Sequence, residues 1–236
     1  MKQMQRFYTD VAVAEREHEF VILLDRNPAK TIQGAVLAVP SLALAEAIAA
    51  EWRDQRERID RSTMLLTGLA DSAIDRVSRH RGQVIDHILG FGRSDLICYR
   101  AETPSALAER QKALWDPLLD WARTRHGLRL MADAGISYIE QPVDAVVRMQ
   151  EIVAGFDDFR LAPLEISVSL TGSFVVALAL VEGRVTAGEA FAAAQLDEIY
   201  QAEKWGRDAG AEVRRERLLK ELTAVERFVS LVKELQ

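Results

Sequence analysis

The sequence has little of what disulfide-bonded, redox or zinc-binding proteins need. Its 236 residues contain one cysteine, Cys98. One cysteine excludes a disulfide within the chain and any Cys-x-x-Cys site, and it fits a reducing compartment. We therefore expect stability to come from packed cores, for which the length allows one large domain or two small ones.

Long apolar runs and excess positive charge are also missing. The longest apolar run, residues 166–181, has 16 residues and includes Ser167 and Ser169, whereas a membrane span needs about 20 apolar residues. It predicts a buried helix and no membrane insertion. The net charge is −6, from 30 Lys and Arg against 36 Asp and Glu, which argues against nucleic-acid binding because phosphate recognition needs clustered positive charge.

The motifs of common catalytic sites are missing as well. The sequence has no phosphate-binding P-loop and no Gly-x-Ser-x-Gly nucleophile elbow. Gly90-Phe91-Gly92 lacks the third glycine of a dinucleotide loop, so we expect a turn there. The spacing of the four histidines fits no metal site; they are His18, His80, His87 and His126. We expect no enzyme activity, no cofactor and no metal.

The first forty residues have the pattern of a small antiparallel sheet. Residues 7–13 and 19–24 are rich in Val, Ile and Phe, and residues 25–28 have turn chemistry. From Ser41, a predicted N-cap, apolar residues recur at helical spacing to about Arg58. This predicts an α+β fold, with a small β-rich N-terminal domain (1–60) followed by a larger, mainly α-helical domain (61–236).

The helical part divides into segments at its capping and proline signals. Pro104 and Pro117 each mark a helix start, so residues 105–125 are either one kinked helix or two helices. Short strands are predicted at 96–99 and 128–131. Further helices are predicted at 68–79, from Pro142, and at 164–181, 187–204 and 211–235.

Two groups of carboxylates are candidates for a functional site. Asp71 and Asp75 are one helical turn apart and could form a catalytic pair, although a solvated helix face also explains them. Glu203 lies in the apolar stripe of its helix, 20° from Leu196 at 100° per residue. Burial of an unpaired carboxylate costs several kcal/mol, so Glu203 must pair with an arginine, bend out to water at the helix end, or face a partner.

The residues around Glu203 suggest a surface for protein recognition. Asp197, Glu198 and Asp208 would join Glu203 in an acidic cluster beside Trp205, and exposed aromatics ringed by charge are typical of interfaces. Trp52, in the first helix, is either a core residue or a second contact. The predicted partner-binding residues are Asp197, Glu198, Glu203, Trp205, Asp208 and Trp52.

Several segments, taken in order, resemble one known family. Residues 40–52 read PSLALAEAIAAEW, 95–101 read DLICYRA, 115–119 read WDPLL, and 196–206 begin with LDE and end with WG. Together they are similar to the assembly chaperones for the α subunit of the ATP synthase catalytic head. The likeness covers nearly the whole chain.

The resemblance implies a function without catalysis. Such a chaperone binds the unassembled α subunit and prevents its aggregation until the β subunit replaces it. It implies a β-rich N-terminal and a helical C-terminal domain. The N-terminus has no signal sequence or presequence pattern, so we expect a monomeric, cytoplasmic bacterial protein, or a mitochondrial matrix protein if the chain is a processed eukaryotic form.

Overall fold

The structure, a computed structural model, describes residues 4–135, 137–206 and 208–233. Its contacts divide the chain into two compact units. Unit 1 comprises residues 1–81, 158–163 and 227–236, and unit 2 comprises residues 82–157 and 164–226. The predicted fold class is confirmed, with strands near the N-terminus and helices through the rest of the chain. The boundary predicted after residue 60 stays a prediction.

Unit 1 is built on a small antiparallel sheet. The strand β2 (Val11–Arg16) pairs with β3 (Glu19–Leu24), and β3 also pairs with β4 (Asn27–Pro28) and β5 (Ala38–Val39). A second, two-stranded sheet joins β1 (Met4–Gln5) to β6 (Arg58–Ile59). The strand predicted at 7–13 therefore begins later, at Val11.

The helix α1 (Leu42–Arg53) packs on this sheet and begins as predicted. Ser41 is its N-cap and accepts a hydrogen bond from the Leu44 backbone N–H at 3.1 Å. The helix ends at Arg53, before the predicted end, because residues 58–59 are used in β6. Its apolar stripe supplies much of the core of unit 1, which includes Ile22, Leu37, Leu44, Ile48 and Trp52.

The next helix differs from its prediction in length and form. The segment consists of α2 (Leu65–Asp71), a π-helical turn (Ser72–Val77) and α3 (Ser78–Arg93). Gly90 and Gly92 lie inside α3, so the predicted turn there is wrong. Gly92 packs closely against Met149, since a Cβ at Gly92 would lie 2.2 Å from the Met149 sulfur.

The helices of unit 2 surround one fully buried element. This is α7 (Phe174–Glu182), in which every residue from Phe174 to Val181 is buried. It packs against α4 and α8, and the unit also contains α5, α9 and part of α6 and of α10. Their bounds are α4 Ser105–His126, α5 Val143–Ala154, α6 Asp158–Thr171, α8 Ala187–Ala194, α9 Leu196–Trp205 and α10 Ala209–Lys233.

Of the two alternatives for residues 105–125, the structure has a single helix, Ser105–His126, with Pro117 inside it. Two other predicted helices are each divided in two. The segment 164–181 is two helices, because Gly172 adopts a φ of 69° and Ser173 then caps α7. Residues 187–204 are also two helices, which meet at Gln195.

The two short strands lie later in the chain than predicted, and residues 128–131 form no strand. Leu96–Cys98 is a 3-10 helix, and β7 (Tyr99–Arg100) follows and pairs in parallel with β8 (Asp133–Ala134). In the part of the chain that is described, no helix is both long and apolar enough to cross a membrane.

Candidate functional site: an acid-rimmed groove

The predicted Asp71–Asp75 pair is buried in unit 1, where each carboxylate has at least one structural partner. Asp71 and Asp75 are each 4% exposed, so a solvated helix face does not explain them. Asp71 contacts the Arg61 guanidinium at 3.3 Å. Asp75 accepts hydrogen bonds from the Thr31 hydroxyl at 2.7 Å and the Gln33 backbone N–H at 3.0 Å. Asp75 ties the loop before β5 to the π-helical turn, and Asp71 ties α2 to the 3-10 helix Arg61–Thr63.

Trp52 is a core residue, which decides between the two interpretations of its role. It is 2% exposed, and the Tyr8 hydroxyl donates to its backbone oxygen at 2.7 Å. The Tyr8 and Trp52 rings meet edge to face at 5.7 Å. Trp52 therefore does not belong to an exposed contact surface with Trp205.

The acidic residues of α9 do not form a single cluster. Asp197 points toward α4, where its Oδ1 accepts from the buried Gln111 amide at 2.8 Å. Asp208 caps α10, since its Oδ2 accepts from the Ala211 backbone N–H at 2.7 Å. Glu198 is exposed on a different side of α9. Of the predicted acids, Glu203 is the one that lines a groove.

Glu203 reaches solvent and also has an arginine partner. Its Oε2 lies 2.7 Å from the Arg110 Nη1, and both side chains are about half exposed, 48% for Glu203 and 50% for Arg110. Exposed ion pairs contribute about 0–1 kcal/mol. Exchanging Arg110 for a cation of a bound partner would therefore cost the folded protein little.

The groove lies between α9 and α10 and encloses about 710 Å³. This volume is within the range of binding clefts in proteins, about 300–1,000 Å³. Half-buried apolar side chains line it, and three glutamates and one arginine surround them. The lining residues are Phe191, Ile199, Ala202, Glu203, Glu212, Arg215, Glu216 and Leu219.

The exposed aromatic residue lies at the end of α9. Trp205 is 80% exposed, the highest value, with Val143, among the large apolar side chains of the described residues. Gly206 follows with a φ of 99° and ends the helix. Large exposed apolar side chains beside charge mark interaction sites.

The half of the groove on α10 was missed by the sequence interpretation. Glu212, Glu216 and Leu219 are spaced at i, i+4 and i+7, so they share one face of a helix. That spacing could have indicated from the sequence that these three side chains form one surface. What the sequence did not show is that this face lies opposite Glu203.

The arrangement can bind a partner by combining apolar area with negative charge. It suits a segment that carries both apolar and basic side chains, because opposite charges guide encounter and the apolar floor holds the complex. Among the described residues, no three His, Cys, Asp or Glu side chains gather as a metal site. The strand-rich start, the helical body and this groove are the features of a protein-binding chaperone.

Comparison with known proteins identifies the family. The family model of the ATP12 chaperone protein matches residues 5–123, and the chain belongs to this family of ATP synthase assembly chaperones. The protein atp12, mitochondrial, of Schizosaccharomyces pombe is 28% identical over 214 residues, which cover 86% of this chain and 74% of that protein.

Solved structures agree over almost the full length. Atp12 from Paracoccus denitrificans aligns with a TM-score of 0.92 at 37% identity, covering 98% of this chain and 99% of that one. The Agrobacterium tumefaciens protein Atu1473 aligns with a TM-score of 0.91 at 39% identity, covering 97% and 86%. The fold is therefore that of the family.

Proposed function

We propose that this chaperone binds the unassembled α subunit of the ATP synthase catalytic head and prevents its aggregation until the β subunit replaces it. An unpaired subunit exposes the apolar surface meant for its neighbour, and such surfaces drive aggregation. A protein that covers this surface needs no catalytic step. The family supports the assembly role, and the acid-rimmed groove supports a site for the client.

The groove between α9 and α10 is the observation that carries this proposal. Its glutamates Glu203, Glu212 and Glu216 outnumber Arg215 three to one, so it selects a basic and apolar stretch of the client. Trp205 extends the apolar contact beyond the helix end. A contact that mixes apolar area with exposed charge can be tight and still be displaced, because exposed charges adjust at low cost.

An enzyme based on Asp71 and Asp75 is the alternative function. A catalytic carboxylate has to reach its substrate, directly or through one water. Asp75 is bonded to Thr31 and Gln33, and Asp71 contacts Arg61. These bonds give both residues a structural role, which favours the chaperone.

The first test is charge reversal at Glu203. We expect Glu203→Lys to weaken binding of the isolated α subunit at least tenfold and to abolish suppression of its aggregation, because the lysine repels a basic client segment. Stability should change by about 1 kcal/mol or less, since the lost ion pair is exposed. Binding can be measured by surface-immobilised α subunit and stability by urea unfolding.

Two further variants separate the client contact from the ion pair. Glu109→Lys makes the same charge change at an exposed position on α4 outside the groove lining, and it should bind like the unchanged chain. The double variant Glu203→Lys with Arg110→Glu restores a pair of opposite charges, yet its binding should stay weak. Normal binding by Glu203→Lys would refute the groove as the client site.

A further inference from the structure

Unit 1 contains a second pocket, built from different elements and with a different charge. It encloses about 430 Å³ and is lined by residues of β1, β4, the loop before β5, the end of α1 and the 3-10 helix Arg61–Thr63. Its volume falls within the range of binding pockets, about 300–1,000 Å³. No residue that lines the groove between α9 and α10 also lines this pocket.

The rim of this pocket is apolar and faces water. Met4, Phe7 and Ile32 are 52%, 62% and 69% exposed, and all three line the pocket. Isolated exposed apolar side chains are common on protein surfaces, but several around one concave site indicate an interaction surface. The rim extends the apolar area beyond the pocket itself, which suits a polypeptide better than a small molecule.

A tryptophan and an arginine form the inner wall. Trp52 is 2% exposed and supports the pocket wall through Arg61, whose guanidinium carbon lies 4.9 Å from the Trp52 ring centroid. The Trp52 Nε1 is buried and has no hydrogen-bond partner in the described part of the chain.

The charge of the pocket favours a carboxylate. Lys30 is exposed at the rim, and Arg61 makes a long contact of 3.3 Å with Asp71. The acid at the rim, Asp25, already accepts hydrogen bonds from the Thr9 and Asp10 backbone N–H groups at 3.0 and 2.8 Å. Because Arg61 is paired with Asp71 and Asp25 is held by backbone N–H groups, Lys30 remains to attract an acidic group.

We propose that this pocket is a second client-binding site, which takes a large apolar side chain next to an acidic one in an extended segment of the α subunit. The proposal rests on the function proposed above. The groove between α9 and α10 selects basic segments and this pocket selects acidic ones. The two sites therefore bind different stretches of the client and do not compete for one.

Two substitutions with matched controls test this site by affinity for the isolated α subunit. Ile32→Asp puts a carboxylate on the apolar rim, and Lys30→Glu reverses the rim charge. We expect Kd to rise about tenfold or more for the first and about three- to fivefold for the second. The controls are Val36→Asp, in the same loop, and Arg56→Glu. Both sites are exposed outside the pocket lining, and both controls should bind within about twofold of the unchanged chain.

A photo-crosslink identifies the occupant directly. A benzoylphenylalanine in place of Ile32 should crosslink to an α-subunit peptide with an acidic residue next to a large apolar one, whereas the same group in place of Val36 should not. Normal affinity of both pocket variants, or a crosslinked peptide without acidic residues, would overturn the second site and leave the chaperone function standing. If the unchanged chain does not bind the α subunit at all, both proposals fail.

Discussion

At the scale of single residues, Asp71 shows what burial does to a carboxylate. Its burial raises its pKa to about 6, the nearby Asp75 acts in the same direction, and Arg61 opposes them. The folded protein therefore holds the Asp71 proton more tightly than the unfolded chain does. Protonation of Asp71 stabilises the fold, an effect that is complete below the unfolded pKa of about 4 and is lost as pH rises through about 6.

Asp71→Asn should remove this dependence on pH, because asparagine stays neutral. We expect the free energy of unfolding of the variant, minus that of the unchanged chain, to increase between pH 4 and pH 7. Urea unfolding at four pH values measures it. A difference that stays constant over this range would show that Asp71 titrates normally.

Asp25 provides a control, because its pKa is shifted in the opposite direction to that of Asp71 and its effect on stability therefore depends on pH in the opposite way. Hydrogen bonds from the Asp10 and Thr9 backbone lower its pKa, so its stabilising effect is present above the unfolded pKa and is lost as pH falls below about 4. Asp25→Asn should therefore destabilise the protein at pH 7 and lose that effect toward pH 3.

Residue-level features were predicted well where they depend on local chemistry. Ser41 was recognised as an N-cap because its hydroxyl needs only the N–H three residues later. Glu203 was placed in an apolar stripe by its helical angle, and one of the three outcomes considered, an arginine partner, is present in Arg110. Arg110 is 93 residues away in sequence, so no local pattern could name it.

At the scale of elements, the apolar segment 164–181 shows where periodicity gives no information. Residues 161–165 of α6 and residues 174–181 of α7 are all buried, so no continuous polar face indicates where one helix ends. The break depends on Gly172, whose φ of 69° suits glycine, and on the Ser173 hydroxyl, which accepts from the Val176 N–H at 3.0 Å.

Two glycines of α3 should respond in opposite ways to the same substitution. A Cβ at Gly90 would meet nothing within 4 Å, so Gly90→Ala should stabilise the protein by about 1 kcal/mol through helix propensity. A Cβ at Gly92 would lie 2.2 Å from the Met149 sulfur, so Gly92→Ala should destabilise it by about 1–3 kcal/mol. Urea unfolding of both variants measures this.

The pair of variants also distinguishes a helix from the turn that Gly90-Phe91-Gly92 suggested. In a turn that needs glycine, both substitutions would destabilise the protein, because alanine does not readily adopt positive φ. If Gly90→Ala stabilises the protein and Gly92→Ala destabilises it, the segment is a regular helix with one face packed against Met149. If Gly90→Ala is the more destabilising of the two, the helical assignment is wrong.

At the scale of the whole molecule, the α+β fold class was predictable because it depends on period. The β-forming apolar run at residues 19–24 and the helical spacing from Ser41 onward are both found in the structure as the predicted elements. The two proposed binding surfaces were less predictable. Glu203 was found because a carboxylate in an apolar stripe is unusual, whereas the pocket beside Ile32 combines four separate segments of unit 1, which no single stretch of sequence reveals.

The last prediction concerns release of the client. If the chaperone covers α-subunit surface that the β subunit will occupy, the two cannot bind that surface together, and the β subunit must displace the chaperone. We expect addition of isolated β subunit to the complex of chaperone and α subunit to yield free chaperone and an αβ complex on size-exclusion chromatography. Serum albumin at the same concentration should leave the original complex intact.

A stable ternary complex of chaperone, α and β subunits would contradict this competition. Ionic strength gives an independent check, because exposed charges are screened beyond about 3 Å at 1 M salt and about 10 Å at 0.1 M. Higher salt should weaken the contacts of Glu203 and Lys30 and speed displacement by the β subunit. Apolar contacts are not weakened by this screening, so a release rate independent of salt would assign the binding to apolar area alone.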